Sequence, residues 1–171
     1  GVYVSEADNV IVRDNDITSK ASFEEARKGD GIRVWYSVGV QLIDNTIHDA
    51  RDIVLWYSKN LVLSGNLVTH GRYGVHFMYC DGARVEHNDF ESNSTGLYVM
   101  YSRDVALRFN TIRGQWGPSG YGVGFKESDA ITLSDNVIVD NRGGLYFDGT
   151  PFSPDSYAIV LKNAGIDLLN T

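Results

Sequence analysis

Gly74-Val75-His76-Phe77-Met78-Tyr79-Cys80-Asp81-Gly82-Ala83-Arg84-Val85-Glu86-His87-Asn88 is answered 22 residues later by Gly96-Leu97-Tyr98-Val99-Met100-Tyr101-Ser102-Arg103-Asp104-Val105-Ala106-Leu107-Arg108-Phe109-Asn110. Both stretches run 14 residues from glycine to asparagine and carry apolar side chains at the same places. Outward from this pair the rung recurs at Gly1 to Asn15, Gly31 to Asn45, Asp52 to Asn66 and Gly122 to Asn136. With Gly144, successive starts lie 30, 21, 22, 22, 26 and 22 residues apart. Self-similarity at this period marks a solenoid, and the period is too short for the longer helix-containing horseshoes. The expected fold is therefore all-β, a right-handed parallel β-helix of about seven coils of 21–30 residues.

Alternation along the strand after each glycine directs Ile32 and Val34, Ile53 and Leu55, Val75 and Phe77, Leu97 and Val99, Val123 and Phe125, and Leu145 and Phe147 into a core. A later apolar pair, such as Val40 with Leu42 or Val105 with Leu107, does the same on a second sheet. Asn15, Asn45, Asn66, Asn88, Asn110 and Asn136 are expected to stack as a structural ladder at a bend, where Asn tolerates left-handed backbone. Tyr36, Tyr57, Tyr79 and Tyr101 form a second column, read as stacking. Cys80 stands in the column of Ser37, Ser58, Ser102 and Ser128 and reads as a turn residue.

Two rungs carry extra length, Ser19 to Asp30, whose Phe23-Glu24-Glu25-Ala26-Arg27 suits one helical turn, and Gln115 to Gly120. Both fall between the strand after the asparagine and the next glycine, so both emerge beside the strand that follows the glycine. Past Asp148 the template fails at Gly149-Thr150-Pro151-Phe152-Ser153-Pro154, and Ile159-Val160-Leu161 with Asn163 hints at one more coil. Uncapped solenoid ends and a start at Gly1 without Met lead us to expect a single β-helix domain over 1–171 that is a piece of a longer chain.

A net charge of -7 and a pI near 4.9 exclude a nucleic-acid backbone as partner, because phosphate binding needs clustered Lys and Arg. One cysteine excludes an internal disulfide, and no apolar run approaches the roughly 18 residues of a membrane span.

On the first strand the side chains opposite the core include Arg33 and Trp35, Val54 and Trp56, His76 and Met78, Tyr98 and Met100. Trp35, Trp56, Met78 and Met100 should stack as an exposed apolar stripe, either covered by an adjoining segment or offered to a partner. His76 with Met78, and Met100 one coil away, put imidazole beside thioethers, a donor set that suits Cu(I). His48, His70 and His87 lie near bends and read as solvated.

Polysaccharide chemistry on a β-helix needs paired carboxyls, or a base with a charge neutraliser. Asp30, Asp52, Glu127, Asp129 and Asp148, with Arg33 and Lys126, are the candidates, and they scatter over several coils.

Arg72-Tyr73-Gly74-Val75-His76-Phe77-Met78-Tyr79, Gly96-Leu97-Tyr98-Val99-Met100-Tyr101-Ser102-Arg103, Tyr121-Gly122-Val123-Gly124-Phe125-Lys126 and Gly144-Leu145-Tyr146-Phe147-Asp148, followed by Pro151-Phe152-Ser153-Pro154, together resemble the NosD family over roughly 52–155. That resemblance implies a periplasmic, non-catalytic scaffold in nitrous oxide reductase maturation. Its implied partners are an ABC transporter membrane subunit and ATPase, a copper lipoprotein chaperone and the reductase. It places copper or the chaperone at His76, Met78 and Met100, with Trp35 and Trp56 on the docking surface, and the outward neighbours Tyr98 and Arg33 are assigned to the same partner surface. The other open class is a polysaccharide-binding or -modifying β-helix: a lyase, hydrolase or uronan epimerase. Against the epimerase pattern, Tyr73-Gly74-Val75-His76 lacks the Asp and Pro of an Asp-Pro-His motif.

Overall fold

The computed structural model describes residues 1–20 and 22–153, together with the backbone of 159–162 and 165–166. Each turn of the chain lays down three short strands, and three parallel sheets of seven strands result. The first sheet holds Val2–Ser5, Ile32–Trp35, Asp52–Trp56, Tyr73–Met78, Thr95–Met100, Tyr121–Lys126 and Gly143–Asp148. The second runs from Ile11–Arg13 through Asp81–Glu86 and Arg103–Arg108 to Ile159–Lys162, and the third from Asp16–Thr18 through Asp89–Glu91 to Gly165–Ile166. Every pairing is parallel and joins one rung to the next, which makes the molecule a right-handed parallel β-helix. The Asn163 hint and Pro154 lie outside the described residues, whereas the strand expected at Ile159 is present and pairs with Ile131–Ser134.

Inside, alternation works as the sequence suggests. Ile32, Leu55, Val75, Phe77, Leu97, Val99, Val123 and Phe125 are sealed from water, joined from the third sheet by Phe90, Ile112 and Ile138. Phe147 is a correction: it is 47% exposed, and Leu145 is only partly buried. Among the described residues their strand is the last of the first sheet, and Phe147 stacks on Phe125 at 5.5 Å.

The asparagine ladder is continuous. Asn15 Nδ2 donates to Asn45 Oδ1 at 2.9 Å, and Asn45 to Asn66, Asn66 to Asn88, Asn88 to Asn110 and Asn110 to Asn136 follow at 2.8–3.0 Å. Left-handed backbone does not fall on these asparagines, as expected from propensity, but on the residue before each: Asp14, Asp44, Gly65, His87, Phe109 and Asp135. The physical reason is division of labour. The preceding residue makes the bend, and the Asn side chain then bonds backbone carbonyls of its own rung and the one before, as Asn88 Nδ2 does to Glu86 and Leu63 oxygens.

Tyr36, Tyr57, Tyr79 and Tyr101 are also left-handed, with φ between 46° and 55°. For a residue with a Cβ this costs roughly 1–2 kcal/mol, and face-to-face ring stacking at 4.9 Å down the column offsets it.

The glycine column has a packing cause rather than a dihedral one. A Cβ on Gly96 would lie 2.4 Å from the Gly122 carbonyl oxygen and 2.8 Å from Ile112 Cγ2. Asp52, in the glycine place of its rung, is Cα partner to Tyr73 rather than Gly74, because the register slips between Tyr73 and His76. The bulge lets the Asp52 carboxylate accept the Tyr73 N–H at 3.0 Å and pair with Arg72.

Candidate metal site

The outward positions of the first sheet form two adjoining columns. Trp35, Trp56, Met78, Met100, Lys126 and Asp148 are Cα partners in succession, and so are Arg33, Val54, His76, Tyr98, Gly124 and Tyr146. Parallel strands lie about 4.8 Å apart, so His76, Met78 and Met100, separated by up to 24 residues in the chain, meet on one patch. His76 Nε2 lies 3.3 Å from Met100 Sδ.

This patch is less open than the alternation implies. The stripe of Trp35, Trp56, Met78 and Met100 is half-buried rather than exposed, and His76 is only 7% exposed. The cause is aromatic cover. Tyr73 lies 5.0 Å from the imidazole at a tilt of 44°, Trp56 meets it edge-to-face at 5.7 Å, and Trp35 packs on Trp56 at 5.4 Å. Tyr98, half-buried beside them, leans over Gly124, where a Cβ would come within 2.5 Å of the ring. Burial among these rings and neighbouring phenols pushes the Tyr98 hydroxyl up to about 12.

Burial likewise lowers the His76 pKa, only partly offset by the charge of Asp52. A neutral imidazole is the metal-binding form. One ring nitrogen faces the Met100 sulfur, and Nδ1 is buried with no hydrogen-bond partner. Metal–nitrogen and metal–sulfur bonds of about 2.0 and 2.3 Å can bridge donors up to roughly 4.3 Å apart, so the 3.3 Å separation fits two ligands of one soft ion. His76, Met78 and Met100 would be its donors.

Of the side chains assigned to a partner surface, Trp56 borders His76, Trp35 packs on Trp56 and Tyr98 on Tyr73, while Arg33 is held by Asp30. Cys80 belongs to the serine ladder as expected. Its N–H donates to Ser102 Oγ at 3.1 Å, its Sγ faces the Leu55 oxygen at 3.1 Å, and burial pushes its thiol up to about 11. His70 and His87 sit exposed at left-handed bends, but His48 is held between Asp49 and Asp16, each at 3.1 Å.

The acids weighed for polysaccharide chemistry are mostly committed. Asp30 binds Arg33 and Arg51, and Asp52 binds Arg72. Asp129 accepts from Phe152 N, Ser153 N and Ser153 Oγ at 2.8–3.1 Å, and Asp148 pairs with Lys126 at 3.4 Å. Among the described residues, Asp129 and Glu127 are the members of that set without an ion pair, and no group of three His, Cys, Asp or Glu gathers into a metal cluster. Sequence reading missed Tyr73 as a wall of the site and the second amide ladder of Asn93, Gln115 and Asn141.

Both inserts flank the first sheet, as their position predicts. Residues Glu25–Arg27 form one turn of 3-10 helix, and Glu25 accepts the Ser94 hydroxyl three rungs away at 3.1 Å. Glu25, Pro118 and Ser119 border a shared cleft with Arg72 and Tyr73.

The sequence model of the family described as "Periplasmic copper-binding protein (NosD)" matches residues 7–164. No curated protein matches the chain. Among solved structures, the enzymatically active domain of bacteriophage CBA120 tailspike protein 2 is similar with a TM-score of 0.56 at 8% identity, over 94% of this chain and 36% of that one. The A-module of the Azotobacter vinelandii mannuronan C-5 epimerase AlgE4 aligns with a TM-score of 0.41 at 15% identity, over 94% of this chain and 58% of that one. The chain thus spans about a third and somewhat over half of these proteins' lengths, and the likeness to the tailspike shows the fold alone. No helix among the described residues is long and apolar enough to cross a membrane.

Proposed function

The chain belongs to the NosD family of periplasmic copper-binding proteins, and from that premise we propose that it is a non-catalytic periplasmic scaffold that carries copper, as cargo, on the outward face of its first sheet. The observation that carries this reading is the 3.3 Å approach of His76 Nε2 to Met100 Sδ, with Met78 the Cα partner of Met100. Thioethers are soft donors that select Cu(I), and imidazole is a neutral donor that suits copper, so the set favours Cu(I) over harder ions. Three such donors hold an ion and still allow its passage to another protein. Supply by a copper lipoprotein chaperone, coupling to an ABC transporter membrane subunit and its ATPase, and delivery toward the copper centre of nitrous oxide reductase complete the proposal. They are supported by the family resemblance of Val75-His76-Phe77-Met78-Tyr79 and the coils after it.

Anaerobic Cu(I) titration against a chromophoric competitor tests the site. The double variant His76→Ala/Met78→Ala is expected to lose at least tenfold in affinity, about 1.4 kcal/mol. Undiminished affinity in that variant removes the site. Release of unsaturated uronides from pectin or alginate would instead establish the polysaccharide class.

A further inference from the structure

The donors at this patch leave the charge of a bound ion unanswered. A metal-bound imidazole is neutral, and both thioethers carry no charge. The nearest carboxylate charges, Asp52 and Asp30, are taken up by Arg72, Arg51 and Arg33. The chain's single thiol, Cys80, points into the interior with Sγ on the Leu55 oxygen. Transfer of an ion into a buried place rises steeply in cost with its charge, so a divalent ion with no anionic ligand is disfavoured here.

An aromatic face is the other way to offset a cation, and indole is the strongest of the side-chain rings within about 6 Å of its centroid. Trp56 is the Cα partner of Met78 and lies edge-to-face on His76 at 5.7 Å. Its position is fixed by packing alone, between Trp35 at 5.4 Å and the imidazole, because Trp56 Nε1 is buried without a hydrogen-bond partner. A second buried polar atom without a partner, His76 Nδ1, belongs to the same patch.

We infer that Trp56 is part of the metal site, its indole bordering the ion held by His76, Met78 and Met100, and that this all-neutral, aromatic-walled pocket selects univalent soft ions, Cu(I) and Ag(I), over Cu(II) and Zn(II). This inference rests on the proposed copper site and adds to it a specificity-determining residue and a charge rule.

Ag(I) is the probe, since it has the charge and softness of Cu(I) without its redox chemistry. In the Trp35→Phe/Trp116→Phe background, Trp56 is the sole tryptophan, and its emission is expected to quench to a one-to-one endpoint as Ag(I) is added to the full chain. A tenfold excess of Zn(II) should leave that quench unchanged. By competition titration, Trp56→Leu should weaken Ag(I) binding about three- to thirtyfold, with Trp56→Phe in between. Ag(I) affinity equal to wild type in Trp56→Leu, alongside its loss in His76→Ala, overturns the role of Trp56 and leaves the copper site standing. Displacement of Ag(I) by Zn(II) overturns the charge rule. Failure of the wild type to bind Ag(I) or Cu(I) overturns the site itself. The emission measurement retains Trp56 and so decides the matter even where Trp56→Leu fails to fold.

Discussion

His76 and Met100 stand on adjacent strands 24 residues apart in the chain, and their Nε2 and Sδ atoms come within 3.3 Å on the outer face of the first sheet. Solenoid register alone produces this meeting, since Met100 is the Cα partner of Met78 and Tyr98 that of His76.

The lowered pKa of His76 fixes the direction of a pH effect. Between 6.5 and the lower folded value the unfolded chain holds the extra proton. The His76 contribution to stability is therefore fully present above 6.5 and is lost as pH falls through the folded value. Unfolding free energies of wild type and His76→Gln measured across this range should diverge less as the solution is acidified. Cu(I) affinity, which needs the neutral ring, should hold through 6.5 and decline only below it. A decline already complete at 6.5 would contradict the burial of this imidazole.

Gly124 admits the ring of Tyr98, which packs on Tyr73 at 5.8 Å, and Tyr73 in turn covers His76. A Cβ there would stand 2.5 and 2.6 Å from Tyr98 Cε2 and Cδ2. Gly124→Ala is expected to cost about 1–3 kcal/mol from overpacking. Displacement of the phenol should also let water reach His76 and return its titration toward 6.5, readable from the imidazole NMR signals. An unchanged His76 titration in a variant of unchanged stability would show that Tyr98 gives no cover.

Asp52 and Arg72 form an asymmetric pair: the Asp52 side chain is fully buried, whereas that of Arg72 is 40% exposed. Arg72→Ala leaves a buried carboxylate with the Tyr73 N–H and, as its nearest remaining cation, Arg51 Nε 3.9 Å away, and should cost about 3–5 kcal/mol. Asp52→Asn leaves a guanidinium that can turn to water, so its cost should be clearly smaller. Denaturant unfolding of both variants checks the order, and equal losses would refute this reading of their burial.

The asparagine ladder makes a stability prediction of its own. Asn88 Nδ2 donates to Asn110 Oδ1 and to the Leu63 and Glu86 oxygens, and its Oδ1 receives the N–H and Nδ2 of Asn66. Asn88→Ala leaves several buried groups without partners at about 1–3 kcal/mol each. A drop in Tm is expected that far exceeds the effect of Glu86→Ala on the surface, and equal drops would deny the ladder its role.

The rungs could be read from the chain because glycine, asparagine and paired apolar residues repeat where the backbone demands them. The columns of outward residues followed from parity, and they are the columns observed. What parity cannot show is which outward residues lie under neighbouring rings, and so the burial of His76 beneath Tyr73 and Trp56 was not legible. The left-handed bends at Asp44 and His87 were hidden for a related reason: side-chain propensity singled out Asn45 and Asn88, whose amides are engaged in the ladder. The second amide ladder escaped notice because Gln115 interrupts the run of asparagines and begins the insert. At Asp52 the count of residues per rung concealed a one-residue slip, and with it the Arg72 pair.

The central claim is that register brings one imidazole and two thioethers onto a single ion. Copper K-edge absorption of the Cu(I)-loaded protein tests it most directly. A first shell of one nitrogen near 2.0 Å and two sulfurs near 2.3 Å, roughly, with a sulfur lost in Met100→Leu and the nitrogen lost in His76→Ala, is the predicted result. A shell of oxygen and nitrogen alone, or one that neither variant changes, would contradict it.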